Sequence, residues 1–276
     1  MPALLLSGVI GQFPNVSDHR VCRGAAIVGG MTDGLRTLTI DCGGSGLKAT
    51  VLDADACMLT ERVRVPTPYP CPPGRLVETL VALVAPLPAY DRVSVGFPGM
   101  VRRGTVLATP HYVTVAGPFT PPRPDLVAAW AGFDMATAVG DGLGKPARVV
   151  NDAELAGMGV IEGAGFEVVL TLGTGLGCAL FDDGRPLPKI ELSQAPFRKG
   201  QTYDEQLGNH ERKRIGNARW MSRVSKALDV LWPVLWWDRL YIGGGNADYL
   251  TGDLGHGATI VSNAVGLLGG VRLWVN

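Results

Sequence analysis

Three times along this chain an apolar run ends on a cluster of glycines: TIDCGGSGLKA at residues 39–49, TLGTGLGCA at 171–179 and YIGGGNA at 241–247. The runs carry β-branched, aromatic and aliphatic side chains, which suit a pleated, half-buried strand. Glycine reaches positive φ and lets a backbone N–H approach an anion without a Cβ in the way, so each turn can cradle a phosphate. A plain hairpin uses the same residues, and with 38 glycines in the chain any single turn is a weak signal. The first turn runs into another strand, where a Rossmann fingerprint would run into a helix, and neither GxGxxG nor GxxxxGK[ST] fits there. Dinucleotide binding by that route is disfavoured.

Around these turns strand and helix signals alternate, the pattern of an α/β protein. RTLTIDCGGSGLKATVLDADACMLTERVRVPTP reads as a three-stranded meander, and GRLVETLVALVAPL sets Leu76, Leu80, Leu83 and Leu87 at helical spacing. DRVSVGFPGMV is an apolar strand ending on a Gly-Pro turn, a helix is expected over 126–133, and ARVVNDAELAGMGV is a strand feeding a helix. EVVLTLGTGLGCALFDDGRPL repeats the opening logic of strand, glycine turn and strand, followed by an Asp-Gly hairpin. A long helix is expected over 205–234, and ATIVSNAVGLLGGVRLW is expected to close the chain as an apolar helix.

Composition narrows the partners. At 276 residues, 46% hydrophobic and 18% charged, the chain can bury a sizeable core. Lys plus Arg equal Asp plus Glu at 25 each, and no basic run interleaves with aromatics, so nothing favours nucleic acid or an anionic membrane; a small molecule is the expected partner. Cys22, Cys42, Cys57, Cys71 and Cys178 are odd in number and form no CxxC pair, which argues against a disulfide framework or zinc site and for a reducing, cytoplasmic setting. The opening MPALLLSGVIGQF is too short to span a bilayer and lacks the basic flank of a signal peptide. Because Met31 stands just before the first strong strand, residues 1–34 are read as an extension, either disordered or preceding the native start.

As an ordered set, IDCGGSGLKA, GFPGMV, VVNDAELAG, LTLGTGLGCAL and RLYIGGGNA resemble the ROK family of sugar kinases, and within it the polyphosphate glucokinase branch. The resemblance runs from about Leu38 to the C-terminus. It implies a two-lobed actin-like ATPase (ribonuclease H-like) α/β fold with mixed sheets and a central cleft. The N-terminal lobe would span 35–151 and the C-terminal lobe 152–276, with the last helix crossing back. The reaction it implies is Mg²⁺-dependent transfer from ATP or polyphosphate to a hydroxyl of glucose or a related hexose or polyol, in a protein that is commonly a homodimer.

The same resemblance assigns roles. Asp41 would hold Mg²⁺, a hard cation that prefers carboxylate and water. Gly43, Gly44, Ser45 and Lys48 would face the transferred phosphate, Gly173, Thr174 and Gly175 would grip the rest of the donor, and Gly243, Gly244 and Gly245 would pass an adenosine. Asp152 would be the general base: a sugar hydroxyl is a very weak acid, and a carboxylate that accepts its proton assists attack on phosphorus. Positioning and charge neutralisation supply most of the remaining rate. Asn151 would bind a sugar hydroxyl, and Gly96, Pro98 and Gly99 would form the wall beside it. A strand-ending Asp is also a common cap.

The chain departs from the family at one loop. Where most members have ExGH, it reads Glu191-Leu192-Ser193-Gln194, so the carboxylate is kept and the histidine becomes Gln194. Glutamine still donates and accepts, which keeps a polyol acceptor possible and leaves the particular sugar open. A sugar-contacting Asn is absent between 105 and 144, where His111 could stand in, and Glu205 could be a further sugar-binding carboxylate or an exposed helix-start charge. Arg198, Lys199, Arg212, Lys213, Arg214, Arg219 and Arg223 could guide a polyanionic donor or form a solvated helix face. The alternative functions are a sugar-sensing or catalytically silent relative, and an ATPase without sugar chemistry, which the retained NDAELAG and Glu191 argue against.

Overall fold

The computed structural model describes residues 34–118, 120–262 and 265–275; apart from Gly34, the N-terminal extension read from the sequence lies outside the described residues. The alternating runs fold as strands. β1 (Thr37–Cys42), β2 (Gly46–Leu52) and β3 (Val63–Pro66) form the antiparallel meander, folded about the first glycine turn. α1 (Pro73–Val84) buries Leu76, Leu80 and Leu83 and returns the chain to β4 (Arg92–Phe97), parallel to β1. β5 (Met100–Arg102), β6 (Thr105–Ala108) and β7 (Phe133–Asp134) make a small side sheet, with α2 (Pro124–Trp130) between the last two. α3 (Met135–Leu143), capped by Asp134 and ended by left-handed Gly144, leads to β8 (Ala147–Asn151), parallel to β4. The main sheet runs β3-β2-β1-β4-β8.

α4 (Asp152–Met158) follows β8 directly and joins the two halves. β9 (Phe166–Leu172) and β10 (Leu176–Asp182) form the second hairpin about a glycine turn, extended by β11 (Arg185–Pro186). β12 (Pro196–Arg198) and β13 (Gln201–Thr202) pair beside them, and then come α5 (Tyr203–Leu207), α6 (Asn209–Ile215) and α7 (Asn217–Leu235). β14 (Arg239–Gly243) lies parallel to β9, β15 (Ala258–Ile260) parallel to β14, and α8 (Gly269–Arg272) ends the fold. This second sheet, β11-β10-β9-β14-β15, repeats the first: a glycine-turn hairpin followed by parallel strands.

Each half has its own core. Phe97, Tyr112 and Trp130 pack ring to ring at 5.2–5.6 Å in the first, and Trp220, Leu228 and Ile242 sit in the second. α4 supplies the third cluster, with Leu155 and Met158 packed alongside Val169 and Phe181. Its approach is close on both sides. A Cβ on Gly96 of β4 would come within 2.8 Å of Leu155 Cδ2, and one on Gly157 within 2.5 Å of Phe181 Cε2.

Two expected helices differ. The stretch 205–234 is three helices, because the chain turns at Gly208 and at Gly216, whose φ of +82° an α-helix cannot include. The C-terminal apolar stretch is a short strand, a 3-10 turn at Val265–Leu268 and the one-turn α8. Its glycines serve packing: a Cβ on Gly270 would lie 2.1 Å from Thr39 Oγ1, and Ser94 Oγ donates to the Gly270 carbonyl at 2.7 Å. The terminal segment thus crosses back onto β1 and β4, where Trp274 Nε1 donates to Ser94 Oγ.

Candidate active site

In open α/β sheets ligands gather outside the carboxyl ends of parallel strands. Here β1, β9 and β14 end on the three glycine turns, β4 ends on the Pro98-Gly99 turn, and β8 ends on Asp152. These ends meet in a cleft of about 730 Å³. Asp41, Lys48, Asn151, Asp152, Glu191 and Gln194 all line it, together with Gly43, Gly44, Pro98, Gly99, Gly173, Thr174, Gly175 and Gly243 to Gly245. Ser45 and Gly96 do not. Ser45 is exposed at the tip of the first turn, and Gly96 acts one layer behind, making room for Leu155 so that α4 can bring Asp152 up to the cleft.

The first turn is held with its carbonyls pinned. Thr67 Oγ1 and Tyr112 Oη donate to the Gly43 carbonyl at 2.7 and 3.2 Å, and Tyr69 Oη donates to that of Gly44 at 2.8 Å. The Gly43 amide closes the turn on Gly46, which leaves the Gly44 and Ser45 amides without a protein partner among the described residues. Beside them Lys48, cross-strand neighbour of Asp41, donates to Asp41 Oδ2 at 3.0 Å. His111 packs over Gly44, whose added Cβ would meet its ring at 2.8 Å, and burial holds its pKa below the usual value.

The second turn is anchored by residues of its own half. The amide of Asn209 and Asn246 Nδ2 donate to the Gly173 carbonyl at 3.0 and 2.8 Å, while the Gly173 amide reaches Gly175 O. Asp204 Oδ1 accepts from the Leu176 amide at 2.8 Å, and only glycine at 175 permits this, because a Cβ there would sit 1.8 Å from that oxygen. Gly244, at φ +89°, passes so close to Leu172 that a Cβ would fall 2.4 Å from its carbonyl oxygen. Second and third turns therefore form one surface.

Asn151 is the N-cap of α4, with Oδ1 accepting from the Ala153 amide and Glu154 completing a capping box. Its Nδ2 donates to Gly99 O at 2.8 Å, tying the cap to a turn in which Gly99 has φ +116°. Asp152 is the first helical residue, half-buried, its Oδ1 accepting from Ala153. Burial first, then the charge of Asp41, pushes its carboxyl up to about 7, with Glu191 adding to the rise and Lys189 and the Ala153 amide opposing it. A carboxylate with a pKa near neutrality, at the meeting point of the glycine turns, is suited to take a proton from a weak acid.

The departure at 191–194 is internally satisfied. Buried Ser193 donates from Oγ to Glu191 Oε1 at 2.7 Å, and Gln194 Nε2 donates to Ser193 Oγ at 3.1 Å. The residue in place of the family glycine thus clamps the carboxylate.

Arg62, Lys189 and Asp204 are ionisable cleft residues that escaped the sequence reading. Asp204, one position before Glu205, lines the cleft, and burial raises its pKa. Glu205 is exposed and caps α5 by accepting from the Thr202 amide at 2.8 Å. The Thr-x-x-Glu capping-box spacing at 202–205 was the signal available. Lys189 also lines the cleft, and no motif marks it. None of the seven basic residues at 198–223 borders the cleft: Arg212 stacks on Tyr249 at 3.7 Å, and Arg214 and Arg223 are spent on Glu211.

Comparison with known proteins adds three observations. The model of the ROK family matches residues 37–188. A polyphosphate glucokinase of Mycobacterium tuberculosis is 27% identical over 216 residues, 75% of this chain and 76% of that protein. The inorganic polyphosphate/ATP-glucomannokinase of Arthrobacter sp. strain KM superposes with a TM-score of 0.73 at 26% identity, covering 87% of this chain and 98% of that one. A ROK family glucokinase from Streptomyces griseus, solved with glucose and AMPPNP, shares the fold at TM-score 0.65 and 19% identity, over 86% of this chain and 98% of its own.

Proposed function

This chain belongs to the ROK family, and on that premise we propose that it is a carbohydrate kinase, glucokinase-like, that moves a phosphoryl group from ATP or polyphosphate to a hydroxyl of glucose or a related hexose or polyol. The observation that carries the reading is Asp152: a carboxylate raised to about 7, at the N-terminus of the helix between the lobes, in the cleft that the three glycine turns and Glu191 also line. The relatives named for polyphosphate and ATP support either donor.

In the proposed mechanism the free amide of Gly44 and the ammonium of Lys48 receive the transferred phosphate, and the Gly173–Gly175 turn receives the rest of the donor, while Ser45, outside the cleft, takes no part. Gly243 to Gly245 border the place an adenosine would take. Glu191, oriented by Ser193, and Asn151, braced on Gly99, position the acceptor, and Asp152 accepts the proton of the attacking hydroxyl. Mg²⁺, when bound, would supply neutralisation of the donor's negative charge. Asp41 would hold it, since Lys48 engages Oδ2 and leaves Oδ1. Among the described residues no group of three or more His, Cys, Asp or Glu is placed to hold a metal. Closure of the lobes would exclude water as a competing acceptor.

Cys42, Cys71 and Cys178 are free thiols, which supports a cytoplasmic setting, and among the described residues no helix is long and apolar enough to cross a membrane. The test is donor consumption across hexoses, amino sugars and cyclitols with ATP and with polyphosphate. Acceptor-dependent turnover is expected with at least one pair, and donor loss that no acceptor stimulates would overturn the proposal.

A further inference from the structure

Lys189 lies in the loop between β11 and Glu191 and is only 8% exposed. Lysines are seldom so covered unless paired with a carboxylate. This one donates to the Cys178 carbonyl of β10 at 2.7 Å and forms no ion pair among the described residues. It nevertheless borders the cleft, and its charge is felt by Asp152 and Glu154 of α4 and by Cys178. Glu191 acts on the same Asp152 and Cys178, and Lys189, Glu191 and Asp152 line the same cleft. An ammonium has three N–H donors and no acceptor, and one donor is spent. A buried charge with unused donors is costly unless something completes its shell. In a cleft, the bound ligand can do so.

We propose that Lys189 is a specificity-determining residue for the acceptor: paired with Glu191, it reads two adjacent oxygens of a polyhydroxylated substrate, donating to one while Glu191 accepts from the hydroxyl beside it. The inference rests on the sugar-kinase reading above. The two groups are chemically opposite, one donor-only and one acceptor-only when ionised, so together they select a neighbouring pair of oxygens in a fixed order. The Ser193 clamp fixes Glu191, and the Cys178 carbonyl fixes Lys189, so both are preorganised. A site built to bond a substrate oxygen discriminates strongly against the analogue that lacks it.

The experiment pairs substitutions with substrate deletions. Wild type, Lys189→Met and Lys189→Gln are assayed against the best acceptor and its single-deoxy analogues, with acceptor and donor KM measured separately. Lys189→Met should raise the acceptor KM about tenfold or more and leave the donor KM within about twofold. The penalty for deleting one particular hydroxyl, large in wild type, should vanish in the variant. If Lys189→Met fails to fold, as judged by circular dichroism, Lys189→Gln carries the same comparison. Deoxy penalties identical in wild type and variant, or donor and acceptor KM rising together, overturn the proposal while the kinase reading stands. A wild type active on no acceptor overturns both.

Discussion

Replacing Asp152 with Asn should stabilise the fold at pH 8 and change it little at pH 4. Burial and Asp41 lift the carboxyl from 3.8 to about 7. An acid with a raised folded-state pKa holds its proton more tightly when folded, so stability is lost as the pH rises from about 4 to about 7. At about 1.4 kcal/mol per unit the ionised group costs the fold at most on the order of 4 kcal/mol above pH 7, and solvent contact of this half-buried group trims that to about 2 kcal/mol. Asparagine keeps an oxygen for the Ala153 amide, a bond of 2.9 Å, and forfeits a helix-start charge worth roughly 0.3–1 kcal/mol. A net gain of about 1–2 kcal/mol corresponds to a Tm higher by roughly 2–8 °C for a chain of this size. Glu154 and Asp204, also raised by burial, titrate in both proteins, so the difference between them isolates Asp152. Calorimetric melts of wild type and Asp152→Asn at pH 4 and pH 8 measure it. A Tm difference that is the same at both pH values, or larger in acid, refutes the reasoning.

The same carboxyl sets the pH dependence of catalysis: kcat/KM should fall below about pH 7, because the base must be ionised and its pKa is raised to about 7; a profile flat to pH 5 would count against Asp152 as base. Gly175→Ala puts a methyl 1.8 Å from Asp204 Oδ1 and should cost about 1–3 kcal/mol of stability and weaken the donor KM more than the acceptor KM, as read by melts and initial rates. Ser193→Gly releases Glu191 and should raise the acceptor KM about fivefold to tenfold with the donor KM unchanged, since the bond lost is to a charged group; steady-state kinetics with each substrate varied checks it.

The fold was legible where local chemistry and tertiary role agree. The strands into 43–45, 173–175 and 243–245 are apolar because they are central in their sheets, and at 43, 44, 175 and 244 the Gly46 carbonyl, the His111 ring, Asp204 or Leu172 comes too close for a Cβ. Asp152 could be placed because strand and helix meet at it. α3 was missed because its sequence, MATAVGDGL, carries two glycines and a narrow apolar face, and its helix is set by Asp134 and Gly144 at the ends. Glycines 266, 269 and 270 fall in the stretch expected as an apolar helix, yet they are where the last segment presses on α4 and β1. Lys189 was invisible for a different reason: nothing periodic marks a loop residue, and its surroundings come from the Cys178 carbonyl of β10 and from α4.

The most direct test follows phosphorus itself. Wild type and Asp152→Asn are each mixed with Mg²⁺, a hexose acceptor and ATP or polyphosphate, and ³¹P NMR is recorded as the donor is consumed. The account predicts a new phosphate-ester resonance in the wild-type reaction, tied to the presence of acceptor, with its rate of appearance lowered by about 10²–10⁴ in a variant that remains folded. Inorganic phosphate as the sole product, or an ester that forms as fast in Asp152→Asn as in wild type, would contradict it.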